Sequence, residues 1–238
     1  MWVWLLPSVC SRYAALQLEA IIALKTRSDA KRRLSAGLKD MAREALVEAM
    51  ALDVITTLSA SPAITAVHVI CGSGWAHLGE LPSPVRVWRE PDEHSGGLVG
   101  ALEWVGGQVD SDALLFVHGD LPFIVSSDVA ALASAAASEF AVVSPNRSQT
   151  GTNALLRWQS QSLPLAFGEN SYALHLAAMK SAGLNWHEVS TMGLAMDIDA
   201  PDDLQLLQMY SAQLGTHTTA WWRRYGGSLL QYATQKVL

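Results

Sequence analysis

Asp120 stands at the end of a short hydrophobic run, Ala113–Val117, followed by His118–Gly119–Asp120–Leu121–Pro122. The run is too short for a buried helix and stops at a proline, so it predicts a central strand. Gly119 is expected to let the backbone turn tightly. An acid at the carboxyl end of a parallel strand lies in the crevice where open α/β sheets bind ligands, and it can hold Mg²⁺ against a substrate phosphate. A turn or helix-capping aspartate is the structural alternative. Two further acids, Asp197 and Asp199, weigh against it. Leu194–Asp199 reads as another strand, and period-two alternation points both acids to one side. Asp199 would also serve as a cap for a helix starting at Ala200–Pro201–Asp202–Asp203.

Basic chemistry is concentrated elsewhere. Lys25, Arg27, Lys31, Arg32 and Arg33 fall within nine residues of a chain whose net charge is -6. They sit between a predicted first strand and first helix, where many nucleotide-binding folds hold phosphates. The stretch lacks the glycine-rich P-loop pattern. Basic residues at a helix start oppose its macrodipole, which makes a purely structural role less comfortable. A polar, turn-rich loop from Pro145 to Asn153 and the sequence Phe167–Gly168–Glu169–Asn170–Ser171 supply hydroxyls and amides. Ser171 is expected to cap a helix whose first-turn amides face an anion. His175, on that helix, reads as a packed or exposed histidine.

These groups need a scaffold, and the pattern predicts an α/β one. Strands are expected at Ala20–Leu24, Ala66–Cys71, Val85–Trp88, Phe140–Ser144 and Ala154–Arg157. Leu38, Met41, Ala45, Ala49, Leu52 and Ile55 recur at helical spacing, giving a long amphipathic helix to about Leu58. Shorter helices are expected over 98–105, from Ser126 or Ser127 to Ala137, and over 172–182. The 238 residues, half of them hydrophobic and 16% charged, suit one sizeable globular domain. We expect an N-terminal extension over 1–18, one domain over 19–214 and an appendage over 215–238 that carries Trp221 and Trp222. That appendage would cover a hydrophobic patch or contact a partner. Negative net charge argues against a nucleic-acid partner. The apolar N-terminus is too short to span a membrane. Two cysteines, Cys10 and Cys71, form neither a zinc motif nor a disulfide framework, so a reducing cytoplasm is expected. Asp92, Glu93 and His94 are adjacent and cannot all converge on one metal ion.

Taken in order, these pieces resemble the 2-phospho-L-lactate guanylyltransferase (CofC-like) family of coenzyme F-420 biosynthesis. The carriers are Leu24–Lys25 with Ala30–Leu34, Gly119–Pro122, Thr150–Leu156, Phe167–Ser171 with His175, and Asp197–Leu204. The resemblance implies a single-domain, GT-A-like nucleotidyltransferase fold: Rossmann-like, with a mixed, mostly parallel sheet flanked by helices. It implies GMP transfer from GTP to a small phosphorylated three-carbon acid, with release of diphosphate. Asp120, Asp197 and Asp199 would hold Mg²⁺. Lys25, Lys31 and Arg33 would meet the triphosphate. Thr152 or Asn153, with Gly168 and Ser171, would cradle the acid, and the choice between Thr152 and Asn153 stays open. So does the choice among 2-phospho-L-lactate, phosphoenolpyruvate and 3-phospho-D-glycerate. The labile product makes handover to the downstream transferase an expected arrangement.

Two departures stand out. The family shows Gly-Leu-Asn where this chain has Gly97–Leu98–Val99, and His118 interrupts an otherwise apolar strand. The rival readings are a molybdopterin- or sugar-nucleotide-type nucleotidyltransferase and a non-catalytic nucleotide-binding scaffold. The first usually carries a glycine-rich loop after its first strand, and the stretch from Lys25 to Arg33 has no glycine.

Overall fold

A computed structural model describes residues 17–24, 30–72, 75, 78, 81–89, 96–136 and 139–235, with side chains described as far as 227. Lys25, the cluster Asp92–Glu93–His94 and most of the expected N-terminal extension lie outside the described residues. Seven strands form one sheet in the order β3-β2-β1-β4-β6-β5-β7. These are β1 (Leu18–Leu24), β2 (Ala66–Cys71), β3 (Val85–Arg89), β4 (Ala113–Val117), β5 (Ala141–Pro145), β6 (Thr152–Trp158) and β7 (Trp186–Glu188). The β3-β2-β1-β4 half is parallel, and β6 runs antiparallel to both β4 and β5. This is the mixed, mostly parallel α/β sheet that the family resemblance implied.

Alternation along β1 builds two cores. Leu18, Ala20, Ile22 and Leu24 point into one with α1 (Asp40–Ser59) and α3 (Ser126–Ala135). Ile21 points into the other with α2 (Gly97–Gly106) and α4 (Ser171–Ser181). Strand β2 is buried along its whole length, His68 included. Trp88 Nε1–H donates to His68 Nδ1, so the neutral ring carries its proton on Nε2 and offers it to Glu19. A polar side chain inside the sheet is thereby satisfied.

Two short helices, α5 (Met192–Ala195) and α6 (Leu204–Met209), precede the long α7 (Thr216–Gln235). Within the expected appendage, Thr216–Gln235 form α7, which packs against α1. Asp53 on α1 accepts from the backbone N–H groups of His217 and Thr218, each at 2.8 Å, and so caps α7 from a distance in sequence. A Cβ on Gly215 would lie 2.3 Å from Asp53 Cγ, so this approach requires glycine. Trp221 is buried and donates to the Ala42 carbonyl. Truncating it to alanine should cost about 3–5 kcal/mol, the usual scale for losing a large core side chain.

Several local expectations change. The acidic segment Met196–Asp199 is irregular and not a strand; it is held to Asp120 by one backbone bond, Ile198 N–H to Asp120 O at 3.2 Å. Its alternation has no neighbouring strand to pair with. Helix α3 is capped by the Asp128 carboxylate, which accepts from the Val125 N–H, and neither Ser126 nor Ser127 is the cap. Asn170 occupies the N-cap position of α4, which frees the Ser171 side chain for another bond. A Cβ on Gly119 would lie 2.9 Å from Leu24 Cδ2, so a side chain there would push the Leu24 methyl aside where β4 leaves the sheet beside β1.

Candidate active site

The antiparallel turn of the sheet is what assembles the site. Because β6 opposes β4, pairing Val117 with Ala154, the first residues of β6 lie beside the last of β4. His118 N–H donates to Asn153 O and extends this pairing by one step. Asn153 and Thr152 thus line a cavity of about 1000 Å³ that Asp120 also lines. Lys31, Arg33, Asp197, Asp199, Gly168 and Ser171 line the same cavity. Every described residue given a metal, nucleotide or substrate role from the sequence therefore opens onto one space.

Charge is tightly coupled at one end. Lys31 Nζ donates to both Asp120 Oδ2 and Asp199 Oδ1. Lys31 has a left-handed backbone (φ 56°, ψ 38°), unusual for a residue with a side chain, just before a short 3₁₀ turn at Arg32–Ala36. Burial by itself would lower the lysine pKa, but the two carboxylates outweigh it and hold the pKa above its ordinary value. Burial would likewise raise Asp120; Lys31, then His118, pull it below the usual carboxylate range. At Asp197 burial, then the charges of Asp120 and Asp199, push the pKa up to about 6. The Asn153 hydrogen bond and Lys31 also favour the charged form there but are outweighed.

Neutral groups hold this acidic segment in place. Asn153 Nδ2–H donates to Leu194 O at 2.9 Å and to Asp197 Oδ1 at 3.3 Å, so both its amide protons are engaged. Asp203 Oδ2 accepts from the N–H groups of Asp199 and Ala200, and its other oxygen pairs with Arg147 at 2.8 Å. Asp203, not Asp199, is therefore the local cap. Asn146 Oδ1 accepts from the N–H groups of Thr150 and Gly151, each at 3.0 Å, and shapes the loop carrying Arg147. Sequence reasoning marked this loop as polar and turn-rich but singled out neither Asn146 nor Arg147.

At the other end Thr152 N–H donates to Ser171 Oγ at 2.8 Å, and Thr152 Oγ1 lies 2.9 Å from His175 Nδ1. Gly168 has φ 134°, a conformation that favours glycine. Gly96 is set by packing, since a Cβ there would lie 2.8 Å from Gly100 Cα. Leu98 lines the cavity, and both it and the divergent Val99 pack against the α2 core.

Three carboxylates around one cavity are hard oxygen donors of the kind Mg²⁺ takes. Asp120 Oδ1 is buried and has no hydrogen-bond partner among the described residues, as an atom held for a cation would. As the side chains stand, no three acidic, histidine or cysteine groups among the described residues converge tightly enough to ligate one ion. The Lys31 ammonium bridges two of the three carboxylates instead. The donor chemistry fits the metal, with the lysine in the bridging position.

A family model described as "Guanylyl transferase CofC like" matches residues 18–234. The chain belongs to this family. Membership makes it a nucleotidyltransferase. It is similar to the phosphoenolpyruvate guanylyltransferase of Sphaerobacter thermophilus, with 31% identity over 79% of this chain and 91% of that one. It is also similar to the 3-phospho-D-glycerate guanylyltransferase of Phenylobacterium zucineum, with 30% identity over 78% and 87%. Among solved structures, a Desulfovibrio desulfuricans G20 protein named after the nucleotide-diphospho-sugar transferases aligns over 92% of this chain and 99% of its own (TM-score 0.68, 14% identity). A nucleotidyl transferase from Methanothermobacter aligns over 83% and 97% (TM-score 0.58, 16% identity). These two likenesses establish the nucleotidyltransferase fold of the CofC-like chain. No helix among the described residues is long and apolar enough to cross a membrane.

Proposed function

We propose that this protein transfers GMP from GTP to a small phosphorylated three-carbon acid, releasing diphosphate. Phosphoenolpyruvate and 3-phospho-D-glycerate lead among the acids, since they name the relatives' activities. The observation that carries the reading is the shared cavity, with acids and a lysine at one end and hydroxyls beside Gly168 at the other. Two mutually repelling anions need such a division.

The acid's phosphate oxygen is already ionised at neutral pH, so attack on the α-phosphorus of GTP needs no general base. The new bond joins that oxygen to the α-phosphorus, and the bond from the α-phosphorus to the bridging oxygen breaks, so diphosphate leaves with the electron pair. Asp120, Asp197 and Asp199 would hold Mg²⁺, which when bound neutralises charge on the triphosphate. Lys31 and Arg33 stabilise charge developing on the leaving diphosphate, and Lys25 is assigned the same role from its place in the sequence. Thr152, Gly168 and Ser171 bind the acid. Asn153 orients Asp197. The product would serve coenzyme F-420 biosynthesis and pass to the next transferase.

Mass spectrometry of reactions containing GTP, Mg²⁺ and each acid in turn tests this. The expected product has the mass of GMP and the acid joined with loss of water. GTP consumption without any such adduct would contradict the proposal.

A further inference from the structure

His175 is wholly buried on α4, and the backbone decides which of its nitrogens carries the proton. The Ala166 N–H donates to Nε2 at 2.9 Å, so Nε2 must present its lone pair. In the neutral ring the proton is therefore on Nδ1, which donates to Thr152 Oγ1 at 2.9 Å. A cationic ring would set two N–H donors against each other at Ala166. Burial, reinforced by His118, accordingly pushes the His175 pKa down to about 4. Phe167 packs edge-on against the ring at 5.0 Å between centroids and limits its rotation.

The consequence lies one atom further on. A threonine hydroxyl can donate or accept, but here Oγ1 already accepts from His175. Ser171 is in the same position, because its Oγ accepts the Thr152 N–H. Among the described residues neither hydroxyl proton has an acceptor, and both residues line the cavity next to Gly168. Two donors without acceptors suit a group that only accepts, an anionic oxygen.

We infer that His175 is a positioning residue: its Nδ1–H fixes Thr152, alongside Ser171, as a donor to an anionic oxygen of the acid substrate. The inference rests on the proposed function. The anionic oxygen belongs to the acid's carboxylate or to its phosphate, and a carboxamide analogue of the acid separates the two.

The test is steady-state kinetics of the full-length protein with GTP, Mg²⁺ and phosphoenolpyruvate or 3-phospho-D-glycerate, paired with ¹⁵N spectra of histidine-labelled wild type. His175→Phe is expected to raise KM for the acid by about tenfold or more, lower kcat by no more than about threefold and leave KM for GTP unchanged, the pattern of lost ground-state binding. His175→Asn, which keeps an N–H near the Nδ1 position, should recover most of that loss. Thr152→Val should raise KM for the acid similarly, and adding His175→Phe to it should cost little more. If the carboxylate is the acceptor, Thr152→Val also loses discrimination against the carboxamide; if discrimination survives, the phosphate is the acceptor. The ¹⁵N spectra should show Nδ1–H from pH 5 to 8. An Nε2–H tautomer, titration near pH 6.5, or equal losses in kcat and both KM values without recovery in His175→Asn would overturn the inference. Wild type inactive with every acid would sink the proposed function instead, while the tautomer spectrum would still decide the state of His175.

Discussion

At one end of the cavity Asp120, Asp197, Asp199 and Lys31 crowd their charges onto turns and irregular backbone. At the other, Thr152, Ser171 and His175 hang from the first residues of β6 and from α4, uncharged and hydrogen-bonded. The charged end is unresolved by itself. Asp197 is held up to about 6 by burial and its acidic neighbours, and Lys31 holds an unfavourable backbone to serve two carboxylates. The neutral end is already organised for an anion. Preformed donors spare reorganisation when charge arrives, whereas a cluster of like charges needs its ligand to become stable. The difference implies that the two ends bind their ligands by different physics and should fail differently when mutated.

The largest effect should come from the charged end. Asp120→Asn is expected to lower turnover by at least about 10²-fold, the scale of losing one preorganised electrostatic partner. Near-normal turnover in a folded variant would remove Asp120 from the chemistry. Lys31→Met leaves Asp120 and Asp199 without their shared cation, costing about 3 kcal/mol of stability in the absence of Mg²⁺, the low end for a buried pair because Asp199 is half exposed. Added Mg²⁺ should raise its melting temperature more than that of wild type. Equal shifts would mean that lysine and metal do not answer to the same carboxylates.

Asp197 gives a smaller, pH-dependent effect. Its pKa in the folded protein lies above the unfolded value, so the folded state binds this proton more tightly. The associated stability is fully present below about pH 4 and lost as pH rises through about 6. Without Mg²⁺, Asp197→Asn should therefore melt above wild type at pH 7.5 and near it at pH 4, while turning over more slowly. A variant no more stable at pH 7.5 would show that neither burial nor its acidic neighbours penalise the charged Asp197. Smallest is Arg147→Ala. The Arg147 side chain is 53% exposed, so losing its pair with Asp203 should cost less than about 1 kcal/mol. Thermal melts would check this, and a larger loss would make the loop part of the charged end's framework.

The same contrast governs what the sequence made legible. Strand β2 was readable to the residue, because a short β-branched apolar run broken only by His68 admits little else. Asp120 and the acidic pair were readable because carboxylates at the end of apolar runs are conspicuous. Leu194–Asp199 misled because alternation alone does not make a strand; Thr191 caps a helical turn there, and no neighbouring ladder is open. The helical state of α7 was hidden for the opposite reason. Thr216–Trp222 is rich in β-branched and aromatic residues, and its stability comes from Asp53 and Ala42, far away in sequence. His175 read as a packed or exposed histidine, and it is packed. Its bonds to Thr152 and Ala166 depend on the meeting of β6, α4 and the segment before it, a matter of three-dimensional placement that no local pattern encodes.

The most direct measurement is diphosphate release from GTP and Mg²⁺ with phosphoenolpyruvate, 3-phospho-D-glycerate and 2-phospho-L-lactate offered separately. The account predicts release that requires both GTP and one of these acids. A folded protein that binds GTP yet releases no diphosphate with any of them would contradict it and favour a scaffold role.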